Sequence, residues 1–87
     1  MKKRNKLEII KDILEIIQRH RNIKYTPLIR KSNLSTARFN EYLEDLQKKG
    51  FVRVVTTDGK HIVLTDKGYR YLEKYKTIVG FIEEFEL

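Results

Sequence analysis

Residues 26–50 read TPLIRKSNLSTARFNEYLEDLQKKG, and this stretch predicts two short helices joined by a tight turn. Thr26 is suited to cap the first helix, with Pro27 at the first helical position, where a missing N–H costs nothing. Ser32 and Asn33 end that helix, because both side chains compete for nearby backbone groups. Two helices joined by a turn of about three or four residues form a helix-turn-helix.

The second helix of the pair is predicted to begin at Ser35 and to end at Gly50, a residue suited to a left-handed cap. Leu34 fills the turn before it as an apolar plug. One face of the helix is apolar and carries Phe39, Leu43 and Leu46, with Tyr42 beside them. The opposite face carries Ala37, Arg38, Glu41, Glu44, Asp45 and Lys48.

A β-hairpin is predicted directly after this helix. Two β-branched runs, Phe51–Thr57 and Lys60–Leu64, flank Asp58-Gly59, a pair that favours the positive φ angles of a tight hairpin turn. Alternation places four residues on the core side: Val52, Val54, Ile62 and Leu64. A short strand at Ile23 and Tyr25 is expected before the helix pair. A hairpin in this place is the wing of a winged helix.

Asn5 to His20 is predicted to be the first helix. Its apolar residues recur at helical spacing: Leu7, Ile10, Ile13, Leu14 and Ile17, with Ile9 and Ile16 widening the stripe. So broad a face must pack against more than one neighbour. Four basic residues stand at or before its start: Lys2, Lys3, Arg4 and Lys6. Phosphate contacts and a frayed, solvated tail explain them equally well.

Thr65-Asp66-Lys67-Gly68 is predicted to cap and begin the last helix. Five residues follow the spacing of a coiled coil: Tyr71, Tyr75, Ile78, Ile82 and Phe85. Tyr69 and Leu72 are expected to complete the core of the domain itself. The distal part of the helix has no evident partner in so small a domain, so we expect a homodimer. The alternative is that the helix breaks at Gly80 and folds back.

The 87 residues suffice for one small domain, and the net charge of +7 favours a polyanionic partner. The charge is uneven: residues 1–60 contain 15 basic and 7 acidic side chains, whereas residues 61–87 contain 4 and 5. We expect nucleic acid, although a solvated charged surface is the alternative. No cysteine is present, which excludes disulfides and zinc fingers. Without an apolar run of membrane-spanning length or a signal peptide, we expect a cytoplasmic, nucleoid location.

We expect no enzymatic activity and no cofactor, metal or small-molecule ligand. His20 and His61 are isolated from any catalytic or metal-ligand spacing. The four glycines stand apart, so no phosphate-cradling loop exists. The paired carboxylates of Glu83 and Glu84 fit a solvated helix face.

Double-stranded DNA is the expected partner, contacted by the second helix of the pair and by the wing. Candidates for base-edge contacts in this recognition helix are Ser35, Thr36, Arg38 and Asn40. Candidates for phosphate and wing contacts are Lys24, Arg30, Lys31, Arg53, Lys60 and His61. Because three acidic residues follow in the helix, its N-terminal end must point into the groove while the acidic end tilts away.

Four segments resemble a known archaeal group: Asn33-Leu34-Ser35, Tyr42-Leu43, Lys49-Gly50-Phe51-Val52 and Leu64-Thr65-Asp66-Lys67-Gly68. They resemble the small archaeal winged-helix DNA-binding proteins of the ten-kilodalton, nucleoid-associated class, and related archaeal transcription regulators. The opening Lys3–Ile10 fits the same group. The resemblance covers almost the whole chain.

This resemblance implies a mainly α fold with a β-hairpin wing (α+β): a winged helix-turn-helix with a long C-terminal helix. It implies a homodimer formed by antiparallel pairing of the last helices, with both winged heads on duplex DNA. We therefore expect a DNA-binding domain over residues 1–70 and a dimerisation helix over residues 65–87. The expected function is transcription regulation or nucleoid association, by operator-specific or sequence-tolerant binding. The rival is a winged helix that binds a protein instead of DNA.

Overall fold

The computed structural model describes residues 4–87 as four helices and three strands. In chain order the elements are α1 (Lys6–His20), β1 (Ile23–Lys24), α2 (Tyr25–Ser32), α3 (Thr36–Lys48), β2 (Val52–Val55), β3 (His61–Leu64) and α4 (Asp66–Glu84). The strands form one antiparallel sheet in the order β1-β3-β2. This architecture confirms the predicted α+β fold with a hairpin wing.

The core lies between α1, the helix pair and the inner face of the sheet. α1 buries five residues, Ile9, Ile10, Ile13, Leu14 and Ile17, and contacts α2, α4 and β3, which confirms that its broad face packs against more than one neighbour. The apolar face of α3 buries Phe39, Leu43 and Leu46 against it. Leu7, predicted to share the α1 stripe, is instead 58% exposed. It lies in the first turn of α1, where the rest of the domain leaves its side chain uncovered.

The N-terminus of α2 differs from the sequence prediction. The helix begins at Tyr25 with Lys24 as its N-cap, so Pro27 is its third residue and Thr26 does not cap it. The Tyr25 N–H donates to the Lys60 carbonyl oxygen at 3.0 Å, so the chain passes from strand to helix without a polar cap. Pro27 is tolerated because N–H groups in a first turn have no helical partner. At the other end, Asn33 closes the helix at φ 60°.

The wing has the predicted turn and register. Asp58 and Gly59 both have positive φ, at 54° and 96°. Val52 pairs with Leu64 and Val54 with Ile62, so the expected residues share the core side of the sheet. Gly50, at φ 79°, ends the preceding helix in the expected left-handed conformation.

The wing joins α4 through hydrogen bonds centred on Thr65. Its Oγ1 accepts from the Gly68 N–H at 3.1 Å and donates to the Gly50 carbonyl oxygen at 2.6 Å. This confirms Thr65 as the cap of α4. Beyond the cap, Leu72 packs against the core, but Tyr69 is 41% exposed and does not complete it. α4 continues through Gly80 to Glu84, without the break that a fold-back would need.

Gly68 is predicted to be essential to this corner. A Cβ at Gly68 would lie 2.4 Å from the Phe51 carbonyl oxygen and 2.5 Å from Leu64 Cδ1. Because the first of these is backbone, we expect Gly68→Ala to lower the free energy of unfolding by about 1–3 kcal/mol. Gly80→Ala is the matched control, since a Cβ at Gly80 would meet no atom within 4 Å apart from its chain neighbours and the backbone of its own helix. That change should stabilise the protein by up to about 1 kcal/mol. Urea unfolding measures the free energy of unfolding of both variants and of the parent. A Gly68→Ala protein as stable as the Gly80→Ala protein would contradict the prediction.

Arg4 is held within the domain. Its guanidinium donates to Asp12 Oδ2 at 2.9 Å and to the Ser32 carbonyl oxygen at 3.1 Å. Arg4 thus connects the start of the described chain to the C-terminal end of α2. This intramolecular contact differs from both predicted roles, a phosphate contact and a solvated tail. Lys2 and Lys3, for which the same two roles were predicted, lie outside the described residues.

Candidate nucleic-acid interface

The N-terminal half of α3 is capped by Ser35 and is exposed to solvent. Ser35 Oγ accepts the Arg38 N–H at 3.2 Å, which leaves the hydroxyl proton available to an outside acceptor. Thr36, Arg38 and Asn40 are all exposed. Helical geometry places Arg38 and Asn40 on opposite edges of a central exposed stripe. That stripe carries Ala37, Glu41, Glu44 and Lys48.

Arg38 faces the side of α3 that lies nearest the start of α1. It lines a shallow groove together with Lys6, Glu41, Tyr42 and Asp45. No carboxylate in the described range, residues 4–87, lies within 4.0 Å of its guanidinium. The side chain therefore has donors to offer at the edge of the recognition helix.

The acidic end of α3 is partly neutralised within the helix. Lys48 lies 3.4 Å from Glu44, and Lys49 lies 2.9 Å from Asp45. The Lys49 ammonium group beside it lowers the pKa of the Asp45 carboxyl below its ordinary value. These pairs moderate the repulsion that a phosphate backbone would meet from this end of the helix.

Asn40, on the other edge of α3, belongs to a contact network around Tyr25. The Tyr25 hydroxyl donates to Asn40 Oδ1. The Tyr25 ring meets the buried Phe39 edge to face, with centroids 5.9 Å apart. Lys60 Nζ lies 4.2 Å from the centroid of the same ring. Tyr25 thereby joins the recognition helix to Lys60 in the turn of the wing.

The predicted phosphate contacts of α2 separate into two locations. Arg30 lines a shallow groove with Tyr25, Leu34 and Thr36, beside the start of α3. Lys31 instead lines a groove with Arg4 and Arg19, on the α1 side of the domain. The structure therefore brings Arg30 near the recognition helix and does not bring Lys31 there.

Three predicted wing residues share the outer face of the sheet. Lys24 pairs with His61 in the register of β1 and β3, and Arg53 pairs with Val63 in that of β2 and β3. Directly paired residues of antiparallel strands point to the same side. His61 Nε2 also lies 3.0 Å from the Asp58 carbonyl oxygen, which ties that ring to the turn of the wing.

The predicted seam along α4 divides into two parts. Tyr71 packs on its own domain, where the sequence predicted contact with a second copy: its hydroxyl donates to the Leu7 carbonyl oxygen at 3.2 Å, and its ring lies 5.3 Å from that of Phe51. Tyr75 stacks on Tyr71 at 6.3 Å. Beyond them lies the distal apolar face, which we define as Ile78 (59% exposed), Phe81 (55%), Ile82 (41%) and Phe85 (56%).

The sequence analysis did not predict a functional role for Tyr25 or Phe81. Tyr25 was predicted to lie in a strand, and its neighbours in the sequence do not indicate a contact with α3. Phe81 precedes Phe85 by four residues, and their rings lie 4.8 Å apart. The spacing of the apolar residues in α4 would have revealed Phe81, had the stripe been drawn wider.

Residues 4–87 contain no cluster of His, Asp or Glu side chains that could hold a metal ion. Among the helices of this part of the chain, none is long and apolar enough to cross a membrane.

Comparisons with known proteins agree with this fold. The structure is similar to that of Sso10a-2, a DNA-binding protein from Sulfolobus solfataricus, with a TM-score of 0.79 and 23% identity over 95% of this chain and 86% of that one. It is also similar to SSV1 F-93, with a TM-score of 0.69 and 26% identity over 88% of this chain and 91% of that one. A search of curated protein sequences gives no significant match. The family model described as winged helix-turn-helix matches residues 3–83. The chain therefore belongs to the winged helix-turn-helix family.

Proposed function

We propose that this protein binds double-stranded DNA, with the N-terminal half of α3 in the major groove and the wing along the backbone. The observation that carries the proposal is the presentation of α3 in a winged helix-turn-helix. Arg38 and Asn40 lie on the two edges of its exposed N-terminal half. Arg30 and Lys60 lie near the edge that carries Asn40. The structural neighbour from Sulfolobus solfataricus, described as a DNA-binding protein, supports the same role.

The chemistry of α3 favours some base reading over purely electrostatic binding. Arg38 and Asn40 carry side chains that can form hydrogen bonds with base edges, and the hydroxyl groups of Ser35 and Thr36 can do so as donors or acceptors. The centre of the exposed stripe, by contrast, carries Ala37 and Glu41, which supply no cation for a phosphate. We therefore favour a role as a transcription regulator with sequence preference over general DNA packaging.

We further propose a homodimer in which the distal apolar face of one copy covers that of the other. Full burial of an apolar side chain of this size is worth roughly 1.5–3 kcal/mol, so four such residues supply a substantial driving force. A two-fold pairing buries this self-complementary face on both copies at once.

The charges along α4 favour an antiparallel pairing. The proximal part of the helix is basic on balance, with Lys67, Arg70, Lys74 and Lys76 against Asp66 and Glu73, whereas Glu83 and Glu84 lie at its end and Glu86 just beyond it. Antiparallel α4 helices place the basic part of each copy beside the acidic part of the other. Such exposed pairs add little affinity, but they select orientation and register.

A salt series on duplex DNA tests the proposal. Neutralising phosphates releases counterions, so log K should fall linearly as log salt rises. Negligible binding at low salt would contradict DNA binding. It would favour the rival role as a protein-interaction module, for which the exposed Glu41 and Glu44 on α3 are the relevant observation.

The wing residues give this experiment a sharper form. Neutralising Arg53 and Lys60 together in an Arg53→Ala, Lys60→Ala variant should weaken binding about equally on all duplexes, because phosphates are everywhere alike. The salt slope should fall by about one for each phosphate that the variant no longer neutralises. The Arg19→Ala, Lys31→Ala variant is the matched control, since it also removes two exposed cations, from the groove on the α1 side of the domain. If the double variant keeps the full slope, the wing does not touch the backbone.

A further inference from the structure

We propose that Tyr25 is a specificity-determining residue, which positions the Asn40 amide so that it offers hydrogen-bond donors, and not its oxygen, to the DNA. The inference rests on the proposed binding of α3 in the major groove. It concerns which base Asn40 selects, and it assigns a function to a residue outside the recognition helix.

The contacts of Tyr25 leave its ring little freedom. Its backbone N–H is bonded to the Lys60 carbonyl oxygen at 3.0 Å, and the ring edge packs on Phe39, which is fully buried. The Lys60 ammonium group lies over the ring at 4.2 Å from its centroid. The backbone bond and the packing on Phe39 restrain the Tyr25 ring and so place its hydroxyl group, which donates to Asn40 Oδ1.

This hydrogen bond determines what Asn40 can present. The oxygen and the NH₂ group of a planar amide diverge from one carbon atom, so an amide whose oxygen faces Tyr25 directs its two donors elsewhere. Asn40 is exposed, so those donors are accessible at the edge of α3.

The consequence for base selection follows from the groove code. A bidentate contact with adenine uses the amide oxygen to accept from N6 and the NH₂ group to donate to N7. An amide whose oxygen is engaged by Tyr25 is poorly placed for that contact. Its donors remain suited to guanine N7 and O6 and to thymine O4, which are acceptors. We therefore infer that Tyr25 turns Asn40 away from adenine and towards guanine or thymine.

Tyr25→Phe is the direct test, because it removes the hydroxyl group and keeps the ring that packs on Phe39. The parent and the variant are each subjected to selection from a pool of random duplexes, and affinities are then measured on duplexes that differ at single positions. At one position per half-site, the ratio of adenine to guanine or thymine binding should rise in Tyr25→Phe. A new bidentate contact with adenine predicts a change of roughly 5- to 150-fold.

Three controls separate positioning from stability. Tyr69→Phe removes a hydroxyl from an exposed tyrosine of α4 and should leave base preference unchanged. Asn40→Ala should abolish preference at the same position. The combined Tyr25→Phe, Asn40→Ala variant should match Asn40→Ala, because Tyr25 acts through the amide. Circular dichroism and thermal unfolding verify that each variant is folded.

The outcomes distinguish this inference from the proposed function. If the parent binds no duplex, DNA binding itself fails and the inference fails with it. If the parent binds DNA but Tyr25→Phe leaves every base preference unchanged, or weakens all duplexes equally, the inference is overturned while DNA binding stands. Equal binding of the parent to all duplexes overturns it in the same way, because Asn40 then selects no base.

Discussion

Ile82→Glu is expected to convert a homodimer into a folded monomer whose apparent affinity for duplex DNA is about 10²- to 10⁴-fold weaker. Ile82 lies within the distal apolar face, between Ile78 and Phe85, and none of the three packs on the rest of the domain. A carboxylate there stays hydrated in the monomer, but in the dimer it would be buried without a partner. The fold is therefore unaffected while association is abolished.

The decrease in DNA affinity follows from the second head. When one head of a dimer is bound, the other meets the same duplex at a high effective concentration, so two modest affinities combine. A monomer retains one head only. With both heads docked alike, the preferred half-sites should be spaced by whole helical turns in the dimer, and that spacing requirement should vanish in Ile82→Glu.

Light scattering measures the mass of each variant, and fluorescence anisotropy on one labelled duplex measures binding. Thr77→Glu is the matched control, since it adds the same charge to the same segment of α4 on a different side of the helix. It should remain dimeric and bind DNA as the parent does. A parent protein that is monomeric at about tens of micromolar would contradict the dimer. An Ile82→Glu protein that stays dimeric would place the interface elsewhere.

Local signals in the sequence predicted most element boundaries correctly. Ser35 and Thr65 cap α3 and α4 through bonds to N–H groups three residues ahead, and Asp58-Gly59 forms the turn of the wing. Each feature depends on residues adjacent in the chain, so a capping or turn preference suffices to identify it. One exception is the start of α2, where Tyr25 forms a hydrogen bond with the distant Lys60, and another is β2, which ends at Val55 and not at Thr57.

Features that depend on distant parts of the chain were not predictable in the same way. The hydrogen bond between Tyr25 and Asn40 joins residues 15 positions apart, and no pattern in either helix announces it. The apolar residues of α4 are a second example. Their helical spacing indicates that one face of the helix is buried, but it does not identify the surface that covers this face. Tyr71 turns out to pack on Phe51 of its own domain, whereas Ile78 remains exposed.

Arg38→Ala is expected to cost about 1–3 kcal/mol of binding free energy per head on the preferred duplex, if Arg38 contacts a guanine through its paired donors. The cost on a scrambled duplex should be smaller, because no guanine need lie opposite the side chain there. The position of Arg38 supports this role: Ser35 fixes its backbone at the first turn of α3, and its exposed guanidinium has no carboxylate partner within the described residues 4–87.

Arg38→Lys decides between base reading and a phosphate contact. Lysine keeps the charge but lacks the planar fork that contacts guanine O6 and N7 together. If Arg38 reads a base, the lysine variant should keep the salt slope of the parent and lose much of the discrimination between preferred and scrambled duplexes. If Arg38 contacts only a phosphate, lysine should restore nearly full binding, while Arg38→Ala weakens both duplexes equally. Anisotropy titrations of the three proteins on the two duplexes at several salt concentrations separate these outcomes. An Arg38→Ala protein that binds every duplex as tightly as the parent would remove Arg38 from the interface altogether.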